Sequence, residues 1–171
     1  IPACEQWAFG HPKRVIEMVG SLLNPWEWVE KKYSKAIVRV PDCKASSLYQ
    51  ASRAASYLGL SPNPPLADGA QIIIEANLEE GLGSEAGFVN AISSTNPPWS
   101  RLLSGPPPVG PGAQRAVVLA LMAKRFELVI RACQNPLYFK KLGFDASSQS
   151  AVESEDSLIV RDVFSQIPQW R

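Results

Sequence analysis

At 171 residues the chain has the size of one domain, long enough to bury roughly two thirds of the surface it exposes when unfolded. A hydrophobic content of 46% with 19% charged residues excludes whole-chain disorder and fibrous classes. Seventeen Lys and Arg against sixteen Asp and Glu leave a formal charge of +1, without the basic footprint that binding a phosphate backbone needs, so no nucleic-acid partner is expected.

The most apolar windows, over 72–74 and 117–123, are far shorter than the roughly 20 residues of a membrane span, and no basic-then-apolar segment opens the sequence. No membrane partner is expected. Cys4, Cys43 and Cys133 are odd in number and widely spaced, which argues against a disulfide framework or zinc ribbon and for the reduced cytoplasm. The opening at Ile1, without Met, reads as the start of a piece of something longer.

Apolar residues at three- and four-residue steps (Val15, Ile16, Val19, Leu22, Leu23) predict an amphipathic helix over 12–23 with Pro12 in its first turn. Asn24 as cap and Pro25 at the first helical position extend helix to Lys32, and 36–40 reads as a short β-branched strand. Ser46 or Ser47 caps a helix running to Leu58, closed by Gly59 and a proline loop. The continuous apolar run over 71–76 predicts a strand covered on both faces, which Gly81-Leu82-Gly83-Ser84 turns into a helix over 85–93.

One short turn is expected within 96–104, and 104–112, rich in proline and glycine, reads as loop. A helix over 113–125, apolar nearly all round and therefore expected to be buried, precedes a strand over 127–132. Two further helices, over 136–142 and 147–155, and a last strand over 158–163 complete the series. Such alternation predicts a single α/β domain with a mainly parallel or mixed sheet and helices on both faces. The five tryptophans are expected mostly in the core.

His11 is the sole histidine and cannot build a metal site or a His-paired nucleophile alone, so it reads as a surface or capping residue. Neither Cys43 nor Cys133 has a histidine nearby in sequence. No catalytic residue and no metal ligand is assigned. Gly81-Leu82-Gly83 follows a strand as a phosphate-binding turn would, but Ala86 stands where a third glycine belongs and Glu79-Glu80 would repel a pyrophosphate; a tight turn is the better reading. Tyr49, Gln50 and Arg53 lie in the first turns of one helix at spacings of three and four. A guanidinium, an amide, a phenol and free amides at the positive end of the helix dipole would make a clamp for a small carboxylate, against the alternative of an ordinary solvated helix face.

The stretch Ser47-Leu48-Tyr49-Gln50-Ala51-Ser52-Arg53-Ala54, the strand over 71–76, Glu80-Gly81-Leu82-Gly83 and Phe88 together resemble the C-terminal domain of the nickel-pincer lactate racemase family. The likeness extends weakly through 113–132 to the end near Pro168. It implies the substrate-side domain of a 2-hydroxy acid racemase or epimerase, inactive alone and so part of an isomerase only when its N-terminal domain is present. That missing domain is the implied partner, with a small 2-hydroxy acid as substrate, and it would hold most of the nickel-pincer nucleotide. The resemblance implies that Tyr49, Gln50 and Arg53 contact substrate, with Arg53 where the family carries Lys. Gln114 joins them as a candidate substrate contact from the segment Pro111-Gly112-Ala113-Gln114-Arg115, where a family tryptophan has no counterpart. The Gly-Gly-Tyr-Pro turn of the family is replaced by Val40-Pro41-Asp42-Cys43. These departures leave two other readings: a non-catalytic binding module of the same fold and, from the α/β pattern alone, a nicotinamide-linked oxidoreductase.

Overall fold

The computed structural model describes residues 9–23, 26–94, 99–165 and 167–170. The chain opens with α1 (Pro12–Leu23), whose first turn closes through the Val15 amide donating to the His11 carbonyl at 3.1 Å. Five strands then build one parallel sheet: β2 (Tyr33–Arg39), β3 (Leu66–Glu75), β4 (Glu127–Arg131), β5 (Asp145–Ala146) and β6 (Ser157–Val160). Their order is β5-β4-β3-β2-β6, every pair parallel. Between them run α2 (Asp42–Ala45), α3 (Leu48–Gly59), α4 (Ala86–Ser94), a short 3-10 helix (Trp99–Leu103), α5 (Ala113–Arg125) and α6 (Pro136–Lys141).

The strands carry unbroken apolar runs because both faces are covered. Ala36, Val38, Ile72, Ile74, Leu128 and Ile130 point to one side and join the buried residues of α3, α4, α5 and α6 in the main core. Ile37, Ile73 and Val129, the alternate positions, form a smaller cluster on the other side with Ile159 and Ala151. Handedness explains the division. From β2 to β5 each strand is added in the same direction across the sheet, so right-handed crossovers place α3 to α6 on one face. The return to β6 runs the opposite way, and its connection crosses the second face.

That connection is the stretch 147–155, expected as a helix, and the expectation fails. It lies as an irregular strap tied from outside itself: the Ala132 amide donates to Gln149 O at 3.0 Å, the Ala151 amide to Glu75 Oε1 at 3.0 Å and Lys35 Nζ to Val152 O at 2.9 Å. Arg39 ion-pairs with Glu153. These tertiary bonds, with serines that compete for backbone groups, outweigh a modest helix propensity.

The helix expected to reach Lys32 is also corrected. Trp26–Val29 is a strand, β1, pairing in parallel with β7 (Ile167–Trp170), a strand beyond the one expected to be last. A short run of Trp and Val fits either period, and a partner some 140 residues away in sequence decides it. The proposed cap and start, Asn24 and Pro25, lie outside the described residues. The final strand of the main sheet stops at Val160 because Asp162 turns the chain, accepting from the Phe164 amide at 3.0 Å.

Helix α5 is buried along one face (Ala113, Ala116, Leu119, Ala120, Met122) rather than all round, with Leu121 exposed. Trp28 and Trp170 are exposed as well, Lys32 Nζ lying 4.3 Å over the Trp170 ring. Trp7 and the side chains of Trp26 and Trp99 lie outside the described residues.

Candidate functional site

The two short words that carry the resemblance meet in space. Ser47 is the N-cap of α3 in extended conformation, but its side chain makes no capping bond. The first two amides of the helix, Leu48 N and Tyr49 N, donate instead to Gly81 O at 2.8 Å and Leu82 O at 3.2 Å. Those carbonyls can turn toward α3 because Gly81 and Gly83 hold φ at +62° and +104°, where a side chain would be strained. The Gly81-Leu82-Gly83 turn therefore caps a helix with its oxygens. It also corrects the expectation of free amides at this helix end, since Leu48 and Tyr49 have none to offer an anion.

What α3 does present is a stripe of side chains. Tyr49 sets its ring edge-on to Phe88, centroids 5.5 Å apart, and the Arg53 guanidinium carbon lies 5.4 Å over the Tyr49 ring. Gln50 Oε1 and Arg53 Nε are both buried without any hydrogen-bond partner among the described residues. Orphaned buried polar atoms are rare because each costs its desolvation, about 1–3 kcal/mol. Here an acceptor and a donor are orphaned together, one turn apart on the same helix.

Arg115, on the first turn of α5, joins this stripe from far along the chain, and no sequence spacing groups it with α3. Its Nη1 donates to Ser56 Oγ at 2.8 Å, and Ser56 Oγ donates to the Arg53 carbonyl at 2.9 Å. Burial, then repulsion from the Arg53 guanidinium, pushes the Arg115 pKa below its usual value, opposed by Tyr57 and Tyr49. Three other arginines face carboxylates: Arg39 faces Glu75 and Glu153, Arg125 faces Asp68, Arg131 faces Asp145. Neither Arg53 nor Arg115 does among the described residues. Gln114 is exposed on the same turn of α5 and forms no hydrogen bond with Tyr49, Gln50 or Arg53 among the described residues. The sequence signal for Arg115 was faint: a cation at the positive end of a helix, where the dipole disfavours it.

A cleft of about 510 Å³ opens at the carboxyl ends of β3 and β4 between Glu79–Gly83 and Gln134, Asn135 and Tyr138. It contains none of Tyr49, Gln50, Arg53 and Gln114, and its glutamates make it a poor place for an anion. No group of three or more His, Cys, Asp or Glu side chains is gathered among the described residues. His11 is exposed at the start of α1, Cys43 is exposed, and Cys133 is buried with Sγ 3.5 Å from Ser147 O. The donors a nickel ion would need are therefore not assembled by the described part of this chain. No described helix is long and apolar enough to cross a membrane.

The class defined by this geometry is a parallel α/β domain carrying two arginines without a described carboxylate partner beside an orphaned amide. No family model and no curated protein matches the chain. Among solved structures, the lactate racemase apoprotein from Thermoanaerobacterium thermosaccharolyticum shares the fold, with a TM-score of 0.67 over 94% of this chain at 18% identity. The match spans 41% of that chain, so the present chain corresponds to less than half of it.

Proposed function

We propose that this chain is the substrate-side domain of a nickel-pincer nucleotide-dependent 2-hydroxy acid racemase or epimerase. The observation that carries the reading is the orphaned pair on α3. A 2-hydroxy acid has a carboxylate, which only accepts, next to a hydroxyl that donates. Arg53 Nε lacks an acceptor and Gln50 Oε1 lacks a donor, so one such molecule satisfies both atoms at once. The Gln50 amide, turned over, presents N–H in place of oxygen and serves a 2-keto acid equally well. The stacked Tyr49 ring keeps the Arg53 fork in place. The contribution of this domain is orientation: carboxylate and O2 are held while C2 changes geometry. The described residues do not fit the nickel-pincer group as its holders, so it is assigned to a companion domain together with the acid–base groups.

The test uses the protein together with its companion domain, following inversion at C2 of a panel of 2-hydroxy acids by chiral chromatography. Arg53→Ala and Gln50→Ala are each expected to lower kcat/KM about tenfold or more, the value of a charge-assisted or buried hydrogen bond. Turnover unaffected by either substitution overturns the reading. Binding that both substitutions abolish, without inversion of any acid tried, points instead to a binding module of the same fold.

A further inference from the structure

The proposed carboxylate site uses one of two neighbouring guanidinium groups and leaves the other unexplained. Arg53 and Ser56 are three residues apart on α3, one turn of the helix, and Ser56 Oγ holds Arg115 Nη1 at 2.8 Å. The Arg115 guanidinium is thereby held to α3 one helical turn beyond the backbone of Arg53, within electrostatic reach of the Arg53 guanidinium. We propose that Arg115 forms a second anion subsite, so that the ligand is a 2-hydroxy acid carrying a second anionic group a few bonds from its carboxylate. The inference rests on the reading of Gln50 and Arg53 as the holders of carboxylate and hydroxyl.

Four observations converge. Two like charges within electrostatic reach of one another and partly desolvated are costly to a folded protein, and no described carboxylate offsets them. Arg115 also stands in the first turn of α5, where the helix dipole adds further positive potential. A guanidinium placed for structure would be expected to pair as Arg39, Arg125 and Arg131 do. Finally, Arg115 lines a groove of about 310 Å³ with Tyr57, Leu60, Val118 and Ile167, open to solvent and without an acidic residue in its lining, so a ligand can reach the arginine from outside. A dianion cancels both charges, and its preference over a monoanion is the expected signature.

The experiment titrates the protein with 2-hydroxybutanedioate and with 2-hydroxybutanoate, in which a methyl replaces the second carboxylate. Ionic strength is matched, and binding is followed by heteronuclear NMR. The diacid is expected to bind about tenfold or more tightly. Arg115→Met, which keeps the aliphatic stem, is expected to erase that preference while leaving 2-hydroxybutanoate affinity within about twofold, and Arg115→Lys to keep part of it. A 2-hydroxy acid bearing a phosphate in place of the second carboxylate, bound tighter still and equally dependent on Arg115, supports the subsite and assigns phosphate to it. Equal affinities in the unaltered protein, or Arg115→Met weakening both acids alike, overturn the subsite; the reading of Gln50 and Arg53 survives provided that Arg53→Met still weakens the monoacid. If neither acid shifts the resonances around α3, both readings fall.

Discussion

Arg115 Nη1 donates to Ser56 Oγ at 2.8 Å, a neutral partner for a half-buried cation that has another arginine as its neighbour. One hydroxyl does not offset the lost hydration of a guanidinium. The arrangement costs the empty protein stability and becomes favourable only with an anion present, the usual relation between a binding site and the fold that carries it. Arg115→Met is therefore expected to raise the melting temperature, by about 2 °C or more for a domain of this size. Differential scanning fluorimetry without ligand checks the sign. A lower melting temperature would mean that Arg115 is there to hold α5 against α3.

What the sequence reveals of this fold follows from how local each cause is. The helices at 48–59 and 113–125 and the buried strand at 66–75 stand near their expected places because capping residues, glycines and continuous apolar runs act within a few residues. The strand pairing of Trp26–Val29 with Ile167–Trp170 and the strap at 147–155 depend on partners far along the chain, and periodicity carries no trace of them. The same divide runs through the site. Tyr49, Gln50 and Arg53 share one helix, so spacing alone groups them, whereas Arg115 arrives from α5, where no local spacing ties it to them.

Gly112 makes the approach of α5 to this site possible. Its φ is +78°, and a Cβ there would lie 2.7 Å from Glu85 Cβ and 3.0 Å from Tyr49 Cε2. Gly112→Ala thus combines backbone strain with a collision that Tyr49 can relieve only by moving. The expected cost is about 1–3 kcal/mol in urea unfolding, with an unchanged m-value. Displacing the ring also removes the stacking surface under Arg53, so affinity for 2-hydroxy acids is expected to fall by about two- to fivefold. Substitution without loss of either would show that the loop has slack the packing does not reveal.

Cys133 gives the fold a measurable alkaline weakness. The residue is 1% exposed, and burial pushes its thiol pKa above the ordinary value, against smaller opposing effects from neighbouring backbone groups and Arg131. The native state thus keeps its proton where the unfolded chain has released it. Its contribution is fully present below the unfolded pKa of about 8.5 and is lost as pH rises through the native value. Unfolding free energies measured from pH 7 to 10 are expected to fall more steeply for the unaltered protein than for Cys133→Ala. Parallel curves would show that the thiol is not desolvated. Alkylation followed by peptide mass mapping should modify exposed Cys43 well before Cys133.

Glu75 is the residue on which the strap over the second sheet face depends. Its side chain is 12% exposed at the end of β3, with Oε2 taking Arg39 Nε at 3.1 Å and Oε1 taking the Ala151 amide at 3.0 Å. Arg39 continues to Glu153, so one carboxylate anchors the strap both directly and through the arginine. Glu75→Gln can still accept from Ala151, but it turns an N–H toward Arg39 and loses the charge-assisted bond, a cost of about 1–2 kcal/mol. The strap carries no regular hydrogen bonding of its own, whereas β3 is flanked on both sides by parallel partners. Loss should therefore be local: in hydrogen exchange the Ala151 and Ala132 amides are expected to speed up while Ile73 stays protected. Uniform acceleration through β3 would instead mean that Glu75 supports the sheet as a whole, and unchanged exchange at Ala151 would mean that the strap is held by apolar contact with Ile37, Ile73 and Val129 alone.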